Sequence, residues 1–166
     1  MLTVIFSIIT IILGVGGIVL FTQPAFGIYN FNGEGNLDGY TFLDASLFDM
    51  IKFDNGQHAY LTVAAVALIL ALVFAGVMLI ITVINLITKA TKNKSYVSAR
   101  WFALFFFIFT ALAGIMLAVW CNEVVMGGSW AELPLINGIT FSIGWGMIAT
   151  MAISLLTVIF APGKNK

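Results

Sequence analysis

Four long apolar runs free of charged side chains dominate this chain: Leu2 to Thr22, Tyr60 to Thr88, Trp101 to Asn122, and about Ile136 to Phe160. None contains Asp, Glu, Lys, Arg or His. Roughly 20 helical residues cross a ~30 Å hydrocarbon core, where each charge is costly, so such runs read as membrane spans. Of the 166 residues, 61% are hydrophobic and 8% charged. A soluble domain needs about a quarter of its residues charged to cover its surface. The expected fold class is an all-α membrane protein, a four-helix transmembrane bundle forming one domain over residues 1–166. The second run, 29 residues long, would be about 44 Å as a helix and must tilt or project beyond the bilayer.

Charge sorts by segment. Lys89, Lys92, Lys94 and Arg100 fall between the second and third runs, and Lys164 and Lys166 follow the fourth. The positive-inside bias makes the 89–100 link and both termini cytoplasmic. All seven acids lie in the opposite segments: Glu34, Asp38, Asp44, Asp49 and Asp54 in 23–59, Glu123 and Glu132 in 123–135. Tyr60, Trp120 and Trp130 would mark the outer interface, and Tyr96 and Trp101 the inner one. Ala25-Phe26-Gly27 loosely resembles a cleavage site, but the preceding apolar run is longer than a usual signal h-region and has no Lys or Arg before it. The first run therefore reads as a retained span.

Helices in lipid associate through close backbone approach and polar side chains rather than the hydrophobic effect. The fourth run carries Gly138, Ser142, Gly146, Thr150 and Ser154 at a spacing of four, an expected helix-packing face. Thr110, Gly114, Ala118 and Asn122 repeat the spacing in the third run, and Ala67, Ala71 and Ala75 in the second. Their hydroxyls and Asn85 suit helix-to-helix hydrogen bonds. Phe102, Phe105, Phe106, Phe107 and Phe109 surround the third helix, so some of these rings must face lipid or another protein.

The 23–59 loop is heterogeneous. Residues 30–39 are turn chemistry. From Tyr40 to Phe53, Leu43, Leu47, Met50 and Ile51 fall on one helical face, with Thr41 and Asp44 forming a capping box. A short amphipathic helix is expected here in the first outer loop, serving as a lid over the bundle or as a docking surface. Glu34, Asn36, Asp38 and Gly39 approximate the opening of a calcium loop, but the leading Glu and the position of Asp44 depart from it, and an acidic turn explains the same residues. His58, Cys121 and Glu123 share the outer boundary and could form a soft-metal or redox site only if spans two and three are adjacent. An interfacial His and a packing Cys are the simpler reading. No metal or cofactor is expected.

Without ionisable groups at depth, intramembrane catalysis and proton-coupled transport lack their usual machinery. A net charge of zero excludes nucleic acid as a partner. Two classes survive. One is a non-catalytic tetraspan, an accessory, assembly or interaction subunit of a membrane complex. The other is a component of a small oligomeric channel or transporter whose path forms between protomers. The expected partners are membrane lipids and either another membrane protein or further copies of the chain. The layout is similar to that of claudin-type tetraspans, but their Gly-Leu-Trp motif and paired loop cysteines are absent from this loop, and no residue roles are transferred. Without disulfides, and with no glycosylation sequon in either outer loop, the expected setting is a bacterial inner membrane or a plasma membrane.

Overall fold

A computed structural model describes residues 2–23, 26–31, 37–42, 46–48, 59–92, 97–120 and 139–163. In chain order these form α1 (Leu2–Val19, extended by a 3-10 turn over Leu20–Thr22), β1 (Phe26–Phe31), β2 (Leu37–Phe42), α2 (Ala59–Lys92), α3 (Arg100–Trp120), β3 (Ile139–Ile143) and α4 (Trp145–Phe160). The first apolar helix, α2 and α3 are long and apolar enough to cross a membrane. Such segments are consistent with an integral membrane protein. Helix α4 has 16 residues, or about 24 Å.

The four helices pack in a closed ring in which α1 touches α2 and α4, and α3 touches the same two. Neighbours run antiparallel. The Phe6 and Phe160 rings, 6.0 Å between centroids, set the start of α1 beside the end of α4. At the other end, β1 follows α1, β3 precedes α4, and the two strands pair from Phe26↔Ile143 to Asn30↔Ile139. Strand β1 is central, with β2 antiparallel on its other edge. The bundle thus has a sheet end and, opposite it, a link end where α2 passes to α3.

Two expectations are corrected by this sheet. The run from Ile136 to Phe160 is not one helix: Ile139 to Ile143 is extended, and Gly144, at φ −65° and ψ 154°, leads into α4. Ile, Thr and Phe favour extended backbone, and an apolar strand looks like an apolar helix when only charge is read. Nor does a helix begin at Tyr40, since Tyr40, Thr41 and Phe42 belong to β2 and oppose Tyr29, Ile28 and Gly27. Two aromatic and β-branched segments around Asn32-Gly33-Glu34-Gly35-Asn36 form a hairpin signature. Asp38 and Gly39 are strand residues as well, where a calcium loop needs a tight turn.

The long second helix runs on at the link end. Asn85 is level with Val97, because its Nδ2 donates to the Val97 carbonyl at 2.6 Å. Helix α2 continues through Lys92, so Leu86 to Lys92 extend about 10 Å past that level.

Candidate functional site

The interior is built from Ala, Gly and hydroxyl-bearing residues interleaved with Leu, Met and Phe, at a coiled-coil period. Helix α1 buries Ser7, Thr10, Gly14, Gly17 and, in the turn that follows it, Phe21. Helix α2 buries Leu61, Ala64, Leu68, Ala71, Ala75, Met78, Thr82 and Asn85. Ala103, Phe106, Thr110, Ala113 and Leu117 do the same in α3, and Met147, Thr150, Ser154, Thr157 and Ala161 along and just beyond α4. Each series alternates steps of three and four, the 3.5-residue repeat that holds one seam of a helix against its neighbours. Large aliphatic residues take the outside, including Ile5, Ile8, Ile12, Val15 and Val19 on α1 and Ile148, Leu155 and Ile159 on α4.

This seam revises the spacing of four. At 100° per residue, a step of four rotates the stripe by about 40°, whereas alternating steps of three and four nearly hold direction. Gly146, Thr150 and Ser154 are buried, and the seam then continues through Thr157. Ser142 is in β3 opposite Gly27, and Gly138 lies outside the described residues. In α3, Thr110 and Gly114 are buried while Ala118 is half-buried, with Ala113 and Leu117 completing the seam. Ala67, Ala71 and Ala75 are all buried. Asn122 is not described.

Close approach is concentrated at three glycines. A Cβ on Gly14 would sit 2.7 Å from Leu79 Cδ2, one on Gly17 3.0 Å from Phe106 Cζ, and one on Gly114 2.7 Å from Met151 Sδ. Phe106, fully buried, thus reaches across the bundle to α1. Other rings of α3 stack on α2: Phe74 lies 5.0 Å from Phe105 and 5.4 Å from Phe109, centroid to centroid.

Among the described residues, the buried hydroxyls bond within their own helices. Thr10 donates to the Phe6 carbonyl at 2.8 Å, Thr82 to Met78, Thr110 to Phe106 and Thr150 to Gly146 each at 2.7 Å. Ser7, Ser154 and Thr157 likewise donate within their own helices. Hydroxyls three or four residues from a carbonyl satisfy themselves this way, leaving a compact stem at the packing face. Asn85 differs, having a longer arm and an amide that reaches out of its helix to Val97.

At the sheet end, Leu47 is fully buried with Phe21 in the main core cluster. Its N–H donates to the Gln23 carbonyl at 3.3 Å, and Phe48 packs against Phe21 with centroids 5.7 Å apart. Leu47 is a plug in this bundle, not a surface residue. Leu43, Met50, Ile51, His58, Cys121 and Glu123 lie outside the described residues. Among the described residues no three His, Cys, Asp or Glu side chains gather as a metal site would require.

Among the described residues, two recesses open on the helical surface. One, of about 190 Å³, is an apolar groove between α2 and α3 lined by Val63, Val66, Leu70, Phe109 and Leu112. The other, of about 700 Å³, lies at the link end between the start of α3 and the end of α4 and includes Arg100. The period of the seam could have been read from the sequence, since each 3-4 series is visible there. The cleft could not, because it depends on α3 and α4 being neighbours. No protein-family model, curated protein or solved structure matches this chain, so its function is argued from the residues alone.

Proposed function

We propose that this protein is a non-catalytic multi-pass subunit that assembles with other membrane proteins. The observation that carries this reading is the self-contained interior. Its hydroxyls are already engaged within single helices, and the rest of its seam is filled by Ala and Gly with Leu, Met and Phe. An interior of that kind gives a rigid scaffold and offers a passing solute few open polar partners. The apolar faces of all four helices are left to meet lipid or another helix. We further propose that the four helices embed as one tetraspan unit with both termini cytoplasmic. Lys89 and Arg100 belong to the link end, and of the seven Lys and Arg only Lys52 falls in the 23–59 or 123–135 segments of the sequence, a distribution that the positive-inside bias supports.

Purification of the tagged chain from native membrane in mild detergent tests this. Stoichiometric unrelated chains are the expected result. Recovery of copies of this chain alone, together with solute flux in liposomes that changes in a Thr150→Phe variant, would replace the accessory reading with an oligomeric channel.

A further inference from the structure

The cleft at the link end is lined by both polar and apolar side chains. Ser98 and Arg100 are the polar ones and Val97, Trp101, Leu104 and Val158 the apolar ones, around a volume of about 700 Å³. Arg100 is exposed, and Trp101, in the first turn of an apolar membrane-length helix, is 64% exposed. Arg100 is the charged residue of the lining, and no Asp or Glu falls within residues 55–122 or 133–166 of the sequence. An occupant complementary to this lining is anionic where it meets Arg100 and hydrocarbon where it meets Trp101, Leu104 and Val158. An indole beside a cation at the end of a span is also where the headgroup region of a bilayer begins.

We propose that this cleft is a binding site for an anionic phospholipid, with its phosphate at Arg100 and Ser98 and the first part of an acyl chain along Trp101, Leu104 and Val158. The site is independent of the accessory role. A guanidinium can donate two parallel hydrogen bonds to phosphate oxygens, and the Ser98 hydroxyl supplies a further donor. A zwitterionic lipid offers the same phosphate but carries its own ammonium, which the Arg100 guanidinium repels.

The test uses the delipidated full-length chain in detergent, titrated with dioleoyl phosphatidylglycerol or dioleoyl phosphatidylcholine and read by native mass spectrometry. Each cation near an anionic lipid contributes about fivefold in affinity, so phosphatidylglycerol should bind at least that much more tightly. Arg100→Gln should bring the two lipids to parity, Arg100→Lys should retain most of the preference, and Trp101→Ala should weaken both lipids together. Millimolar inorganic phosphate should not displace the lipid, because it lacks the acyl chain. Equal binding of the two lipids by the unaltered chain, an undiminished preference in Arg100→Gln, or displacement by phosphate would each overturn the proposal. Because Arg100 is exposed, its variants should keep the helical circular dichroism of the parent, which verifies that the comparison is between folded proteins.

Discussion

Gly16 and Gly17 are adjacent in α1, yet alanine should move stability in opposite directions at the two positions. A Cβ at Gly16 meets only Ile153 Cδ1, at 3.9 Å, whereas one at Gly17 meets Phe106 Cζ at 3.0 Å and Cε1 at 3.3 Å. Replacing a helical glycine by alanine relieves about 0.5–1 kcal/mol of backbone entropy cost, and that gain is common to both. At Gly17 it is opposed by overpacking, which costs about 1–3 kcal/mol when the displaced neighbour cannot yield. Phe106 cannot swing freely, since its ring is fully buried in the seam of α3. The common term cancels, so Gly17→Ala should be about 1–3 kcal/mol less stable than Gly16→Ala. Gly76→Ala, with open space around its Cβ, serves as a second reference and should gain about 0.5–1 kcal/mol. Titration of mixed micelles with sodium dodecyl sulfate, followed by far-ultraviolet circular dichroism, measures all three. Equal shifts for Gly16→Ala and Gly17→Ala would refute the helix-packing geometry from which the difference is derived.

The Asn85 amide ties the link end across twelve residues of sequence, so Asn85→Leu should destabilise by about 1 kcal/mol in the same titration through loss of that bond. Thr110→Val and Thr150→Val should each change stability by less than about 1 kcal/mol, because the lost hydroxyls bonded only their own helices. A larger loss in either would indicate a bond between helices. Leu47→Ala should cost about 2–5 kcal/mol as a cavity beside Phe21, and unchanged stability would show that Leu47 does not plug the sheet end.

The helical framework is legible in the sequence because charge exclusion is a strong, local signal. The starts of α2 and α3 fall within a residue of the ends of the apolar runs. Strand β3 is hidden for the same reason, since Ile139 to Ile143 continue the uncharged run and nothing in hydropathy separates an extended apolar segment from a helical one. Segment 26–42 conceals a hairpin because Gly and Asn mark turns without saying that their flanks will pair. Ser154 falls on the seam because a spacing of four remains close to the true repeat over one or two steps, while Ala118 shows where the drift begins. That α2 runs on to Lys92, past the level at which α3 begins, becomes clear only once Asn85 is seen beside Val97. The Arg100 cleft requires the order of helices in space, which no one-dimensional pattern encodes.

The central place of β1 bears on how the protein is made. Its pairing with β2 needs only the short connection between them, but its other edge waits for β3, which is synthesised after residues 32–138. Until then a nascent chain displays unpaired N–H and C=O groups where another chain could add a strand. A ribosome stalled before Ile139, or a product truncated there, would carry that adhesive border permanently. Completion of the last segment therefore does more than add a helix: it seals the product against illegitimate pairing during biogenesis.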